Sequence, residues 1–304
     1  MNPVQFGVFI TPQHADIRQL HEHVHTAEAV GFDYVSIQDH PYSPEFLDTF
    51  ALIGTMLGQT SRLRLMPNVA NLPLRPPAML AKTSATLDLL SGGRFELGLG
   101  GGRLWPQITG LGGPALTPGE VVTAIDEAIT VLRALWTPDR TANFHGQRYS
   151  LTNAKTGPAP AHDIGIWLGA MGPRMLNLIG SKADGWIAPL GTPYETKPAG
   201  QDRIDAAAQA AGRKPTDIRR VIQPVGAVTD SVQTRERPSI GPGTQPILTT
   251  PEVWARIIAE FVHEGRFDTI NFVPQHEDVE QLTRFATEVI PAARAAIAEY
   301  RQPE

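Results

Sequence analysis

Leu89-Leu90-Ser91-Gly92-Gly93-Arg94-Phe95-Glu96-Leu97-Gly98-Leu99-Gly100-Gly101-Gly102-Arg103 is the stretch whose reading decides the fold. Ser91-Gly92-Gly93 ends one helix and turns. Arg94 to Leu99 alternates as a strand does, and four glycines in five positions then open a loop. Glycine carries no Cβ, so such a loop can take positive φ and let a bulky ligand lie against main chain. The dinucleotide fingerprint G-x-G-x-x-G fails here, because its third glycine position holds Arg103. Leu104-Trp105-Pro106 reads as loop, whereas that fingerprint needs a helix N-terminus under the pyrophosphate. The stretch is a strand ending on a ligand-facing loop, in a fold other than Rossmann.

Working outward, the pattern repeats. Toward the N-terminus, Val4 to Ile10 reads as strand, Asp16 to Val30 as helix, Asp33 to Ile37 as strand, Glu45 to Gln59 as helix, Leu63 to Val69 as strand and Pro77 to Leu90 as helix. Toward the C-terminus comes a long amphipathic helix from Pro118 to Trp136 and a small hairpin insertion at Asn143 to Leu151. Strands at Ile164 to Leu168, Trp186 to Ala188, Val221 to Val228 and Thr269 to Val273 alternate with helices at Pro173 to Lys182, Ile204 to Ala211, Pro251 to His263 and Val279 to Tyr300. Thr229 to Leu248 reads as a long Gly/Pro-rich loop. Eight strand-then-helix units in 304 residues are about 38 residues each. That spacing predicts a single-domain (β/α)8 barrel over 1–304, with its chemistry on the loops that follow the strands.

Composition narrows the function classes. Apolar residues make up 41% and charged residues 19%, enough for a large core and too apolar for disorder. A net charge of -5 without a basic run argues against nucleic acid as a partner. The absence of cysteine excludes disulfides and thiolate chemistry and fits a reducing cytoplasm. Met1-Asn2-Pro3-Val4-Gln5 runs straight into a strand, and no apolar run reaches membrane-spanning length, so a cytoplasmic protein without a membrane partner is expected.

Four segments carry candidate chemistry. Asp39-His40 follows the second strand: the imidazole can trade a proton near neutral pH and the acid can orient it, although the pair could equally cap the next helix. Met66-Pro67-Asn68-Val69-Ala70-Asn71 ends the third strand with a proline and two asparagines, a bulge against a ligand or an ordinary turn. Gly169-Ala170-Met171-Gly172-Pro173-Arg174 joins a strand to a helix, where backbone N–H groups, the positive helix end and Arg174 make an anion site, or else a tight connection that happens to use glycine. His21-Glu22-His23-Val24-His25 matches the zinc signature H-E-x-x-H, which raises a zinc hydrolase as an alternative from another class. It sits, however, on the first helix, which a barrel places on its outer wall. Tyr42, Trp105, Trp186 and His14 are further candidates to line a pocket above the strands.

Taken together, the motifs resemble the bacterial luciferase-like flavin/deazaflavin oxidoreductase family over nearly the whole chain. The matching segments are Asp39-His40, Asn68 to Pro77, Thr86 to Phe95 leading into the glycine loop, Ile166 to Arg174, and Ala183-Asp184-Gly185-Trp186. The resemblance implies a barrel that holds coenzyme F420, or alternatively FMN, acts on a small-molecule substrate and forms a homodimer. It maps a non-prolyl cis peptide under the ring onto Asn68–Val69, with Asn71 beside it. The cofactor phosphate falls on Ala170, Met171, Gly172 and Arg174, and Gly101 and Gly102 approach the ring. His40 becomes the acid/base group with Asp39 to orient it, Asp39 also meeting the cofactor, and no metal is implied. One departure stands out. Where the F420-dependent sugar-phosphate dehydrogenases of the family carry a glutamate proton acceptor, this chain has Arg103, which cannot take a proton at neutral pH. The second reading within the family is an FMN-dependent monooxygenase that uses O2.

Overall fold

The computed structural model describes residues 3–138, 140–190, 194–233 and 246–300. Eight parallel strands close on themselves: β1 (Gln5–Ile10), β2 (Tyr34–Ile37), β3 (Arg64–Pro67, resumed at Ala70–Asn71), β4 (Leu97–Gly100), β5 (Ile166–Gly169), β6 (Gly185–Ile187), β7 (Arg219–Ile222, resumed at Val225–Val228) and β8 (Thr269–Pro274). Each strand pairs with its sequence neighbours, and β1 pairs with β8 from Gln5↔Thr269 to Val8↔Phe272. The ring shuts at β3 and β4, where Leu65 bridges to Phe95 low in the barrel and Ala70 and Asn71 pair with Leu99 and Gly100 above the break. The result is the expected (β/α)8 architecture.

Period-two alternation divides the strands into two faces. Phe6, Val8, Ile10, Val35, Ile37, Leu65, Leu97, Leu99, Ile166, Leu168, Ile270 and Phe272 point outward into one continuous apolar cluster with the helices. Tyr34, Met66, Trp167, Ile187 and Val221 point inward and plug the lower bore. Gly7 is required opposite Tyr34, because a Cβ there would run into the phenol ring. Fully burying a side chain of this size is worth about 1.5–3 kcal/mol, so the plug is a substantial part of the core. Two residues beyond Tyr34, Met66 and Val221 the chain carries polar Ser36, Asn68 and Gln223, and above them the bore opens.

The helices begin and end as their sequences dictate. Asp16 accepts from Gln19 N to cap the helix Ile17–Val30, and Gly31 ends it at φ +99. Thr117 and Glu120 form a reciprocal capping box for the helix Pro118–Trp136. Among the described residues no helix is long and apolar enough to cross a membrane.

Several expectations change in detail. The loop predicted at Leu104-Trp105-Pro106 contains a short helix, Trp105–Gly110, because Pro106 suits a first turn and Ile108 finds a buried site. The strand predicted from Arg94 pairs regularly only over Leu97–Gly100, since Arg94 turns back to donate to Leu57 O, Leu63 O and Thr60 Oγ1. The helix predicted from Glu45 starts at Thr49, where Asp48 accepts from Phe50 N and Ala51 N. The helix predicted from Ile204 begins earlier, at Lys197. The hairpin is longer than predicted, Thr141–His145 against Ser150–Lys155. Ile247–Thr249, read as the end of a loop, adds a strand to the upper part of β7, and most of the rest of that loop lies outside the described residues. The closing helix is continuous but passes through a π turn at Phe285–Val289.

Candidate functional site

A cavity of about 450 Å3 opens at the C-terminal end of the barrel. Its floor is the break in β3. The Asn68–Val69 peptide is cis, and Val69 rises between β4 and β5. Gly100 and Gly169 make this possible: a Cβ on Gly100 would collide with Val69, and one on Gly169 would come within 3.2 Å of Val69 Cγ1. Two further glycines of the loop serve packing as well. A Cβ on Gly101 would strike Val121, and one on Gly102, at φ +85, would lie 2.9 Å from Ile108 and Pro73. Gly101 and Gly102 therefore line the cavity with main chain while their open sides fill with protein.

His40 stands on the wall. Gln38 Nε2 lies 2.8 Å from His40 Nδ1. An amide nitrogen can only donate, so Nδ1 accepts and the neutral ring carries its proton on Nε2. Tyr42 stacks against the imidazole at 5.2 Å and Phe46 at 6.4 Å. Burial holds the His40 pKa below the ordinary histidine value, against a smaller opposing pull from Asp39. The ring is therefore mainly neutral at pH 7.

Asp39 does something other than orient His40. Its carboxylate is buried, and Oδ2 accepts from Asn71 N at 2.9 Å and Arg75 Nε at 2.8 Å, while Oδ1 accepts from Arg75 Nη2 at 2.7 Å. The bidentate Arg75 also reaches Asp48 and lies over the Phe50 ring at 4.4 Å. Asp39 thus pins the resumed end of β3 to the β2 loop, and Gln38 holds the imidazole. Beside this lock, Asn71 lines the cavity, and its buried Oδ1 has no hydrogen-bond partner among the described residues.

A second cavity, about 490 Å3, adjoins the first at Gly102 and Arg103 and ends on Gly172, Pro173 and Arg174, the start of the helix Pro173–Lys182. A Cβ at Gly172 would meet nothing within 4 Å, and no side chain caps this helix end. Arg103 and Arg174 have no carboxylate partner among the described residues. The two cavities adjoin, with the Asn68–Val69 floor at one end and a helix N-terminus with Arg174 at the other.

The structure gathers most of the sequence candidates here. Asp39, His40, Asn68, Val69, Asn71, Gly101 and Gly102 line the first cavity, Gly172 and Arg174 the second. Ala170 and Met171 line neither; Ala170 O instead accepts from Trp186 Nε1 at 2.8 Å. Tyr42 and Trp105 line the cleft. Trp186 does not: it is wholly buried and stacks on Phe267 at 5.9 Å. His14 is exposed and away from both cavities. In the H-E-x-x-H segment His21 Nδ1 meets Gln59 Oε1 at 2.8 Å, and among the described residues no group of three His, Cys, Asp or Glu is placed to hold a metal. Sequence reading missed the roles of Gln38, Arg75 and Gln223. Arg75 and Gln223 are each a polar residue set in an apolar run, which is the signal available for them, whereas Gln38 has only its place beside Asp39-His40.

A profile of the luciferase-like monooxygenase family matches residues 4–296. The chain belongs to the luciferase-like monooxygenase family. On that membership it is an oxidoreductase. It is 31% identical to the F420-dependent glucose-6-phosphate dehydrogenase of Amycolatopsis mediterranei over 217 residues, 68% of this chain and 64% of that one. Its fold matches an F420-dependent secondary alcohol dehydrogenase in complex with an F420-acetone adduct, with a TM-score of 0.81 at 21% identity, over 96% of this chain and 99% of that one. It also matches riboflavin lyase with modified FMN and riboflavin, with a TM-score of 0.81 at 15% identity, over 96% of this chain and 92% of that one.

Proposed function

We propose that this chain is a single-domain F420-dependent oxidoreductase that moves a hydride between the deazaflavin and a small organic substrate. The observation that carries the reading is the pair of adjoining cavities, one lined by Asn68, Val69 and His40 and the other by Gly172 and Arg174 at an uncapped helix end, which meet at Gly102 and Arg103. This arrangement fits a planar heteroaromatic ring with a phosphate on its side chain. Asn71 Oδ1, buried and without a partner among the described residues, suits a ring N–H, and Gly172 with Arg174 suits the phosphate. When bound, the cofactor supplies the two-electron chemistry. His40 is the acid/base group: with Nδ1 accepting from Gln38, the neutral ring offers Nε2–H as a hydrogen-bond donor toward a substrate oxygen, and the imidazolium is the form that transfers a proton. Asp39 and Arg75 hold the floor, and Arg103 offers a charge to an anionic substrate or to the cofactor's tail.

A second reading, an FMN-dependent monooxygenase using O2, is supported by the likeness to an FMN-bearing barrel. Separate titrations with F420 and FMN, followed by fluorescence quenching, divide the two. Micromolar or tighter F420 binding with weak FMN binding supports the first reading, and the reverse result supports the second. Binding of neither removes both. The reading includes a homodimer, which rests on the family resemblance and is checked by sedimentation of the purified protein, and a cytoplasmic location, which rests on the cysteine-free composition.

A further inference from the structure

Directly beneath the cavity floor, four inward side chains from four strands or strand breaks share one buried network. Asn68 Nδ2 donates to Ser36 Oγ at 3.2 Å and to Gln223 Oε1 at 2.7 Å. Asn271 Nδ2 donates to the same two acceptors, at 2.9 and 3.2 Å. Ser36 Oγ lies 3.2 Å from Asn271 Oδ1, to which its hydroxyl donates, and Gln223 Nε2 donates to Ala188 O at 3.1 Å. Ser36 and Asn271 are each 1% exposed and Gln223 is 4% exposed.

Around Ser36 and Asn68 the donor and acceptor count closes. A hydroxyl has one hydrogen and two lone pairs, and Ser36 uses all three. A carboxamide oxygen accepts twice, and Gln223 Oε1 does. The two hydrogens of Asn68 Nδ2 are both consumed below the floor. The only polar atom its side chain has left for a ligand is its carbonyl oxygen, and a flipped amide would set that oxygen against Gln223 Oε1, 2.7 Å away, which has no hydrogen to give. An unpaired buried polar group costs about 1–3 kcal/mol, so the orientation is firmly held.

We infer that Ser36 and Asn271, which do not line the cavity, are positioning residues for cofactor binding: together with Gln223 they fix the Asn68 carboxamide with its oxygen toward the ligand. At Asn68 the floor then offers an acceptor, Oδ1, and that atom favours a ring edge that bears an N–H donor. This rests on the cleft being the cofactor site, and it adds that residues one layer deeper set the polarity of the floor.

The test is a double-mutant cycle on F420 affinity, read by fluorescence quenching without turnover, with melting temperature as the folding control. Ser36→Ala frees one hydrogen of Asn68 Nδ2 and is expected to weaken F420 binding about tenfold, equivalent to about 1.4 kcal/mol. In an Asn68→Ala background the same change is expected to alter the Kd less than twofold, because the group it acts through is gone. Asn271→Ala gives a second, independent cycle with the same expectation should Ser36→Ala fold poorly. If either well-folded single variant binds as the unmodified chain does, or if its effect simply adds to that of Asn68→Ala, the inference is overturned and the cofactor reading stands. If the unmodified chain binds neither F420 nor FMN, the cofactor reading falls and takes the inference with it.

Discussion

At the scale of single residues, the site depends on which group each polar atom is given to. Replacing His40 by Gln keeps a donor of similar reach and removes the titrating ring. Proton transfer by a placed side chain is worth roughly 10²–10⁴-fold in rate, so kcat is expected to fall by about two to three orders of magnitude with F420 affinity little changed. Burial lowers the His40 pKa, so the inflection in kcat/KM for substrate reduction lies below 6.5. The imidazolium hands over a proton more readily than the neutral ring, so the rate rises as pH falls through that inflection. A pH profile that keeps its inflection in His40→Gln rules out this role. Arg75→Ala acts differently, because it strands the Asp39 carboxylate, 1% exposed, with only Asn71 N for company. Removing one partner of a buried pair typically costs about 3–5 kcal/mol, which appears as a lowered melting temperature together with weaker cofactor binding, since the floor loses its anchor. The sequence placed Asp39 and His40 correctly at the end of a strand, yet it suggested the wrong partner for the acid. Asp39 and His40 are adjacent in the chain, whereas Arg75 is thirty-six positions away and only the closure of the barrel brings it in.

At the scale of elements, the opposite face of the barrel carries a charged clasp with no part in the chemistry. His162 Nδ1 lies 2.8 Å from Asp88 Oδ1 and its Nε2 lies 3.5 Å from Glu96, tying the end of the helix Pro77–Ser91 to the segment that enters β5. The Asp88 hydrogen bond, and then Glu96, push the His162 pKa up to about 10, while its bonds with His162 and neighbouring N–H groups outweigh burial and hold Asp88 below its usual value. A histidine whose folded pKa is raised contributes fully below its unfolded value of 6.5 and loses the contribution as pH rises toward 10. A carboxylate whose pKa is depressed contributes fully above its unfolded value and loses it as pH falls. The clasp is therefore strongest in mildly acidic solution. His162→Ala is expected to lower the melting temperature most near pH 6 and least near pH 10, and to leave the F420 Kd unchanged. A pH-independent loss would assign His162 to packing alone. The elements themselves were largely legible, because eight alternating runs of period two and period 3.6 leave few topologies open. Their breaks were less so. Val69 interrupts β3, and β7 pauses between Ile222 and Val225, at positions where the chain pairs with a different neighbour or makes room for the cavity. Such interruptions obey tertiary demands that local pattern does not carry.

At the scale of the whole molecule, the charge distribution runs against the composition. The chain carries a net charge of -5, yet the cleft between β4 and β5 presents Arg103 and Arg174 without carboxylate partners among the described residues, beside an uncapped helix N-terminus. Gly119 leaves the room in which the Arg174 guanidinium lies. A local positive region on an acidic body focuses an anion into the cleft, so association with a phosphate-bearing cofactor is expected to weaken as salt is raised, whereas packing against the floor is not. Comparing FMN with riboflavin isolates the two contributions, since both carry the same ring and only one carries the phosphate. Arg174→Ala is expected to weaken FMN binding about tenfold and riboflavin binding hardly at all, and to flatten the salt dependence of FMN. Arg103→Ala separates its two possible ligands in the same way: a loss in F420 affinity assigns it to the cofactor's anionic tail, and a raised KM at unchanged F420 affinity assigns it to an acidic substrate. Equal losses for FMN and riboflavin in Arg174→Ala would place the phosphate elsewhere, and the cleft would then be a ring site whose charged end serves the substrate.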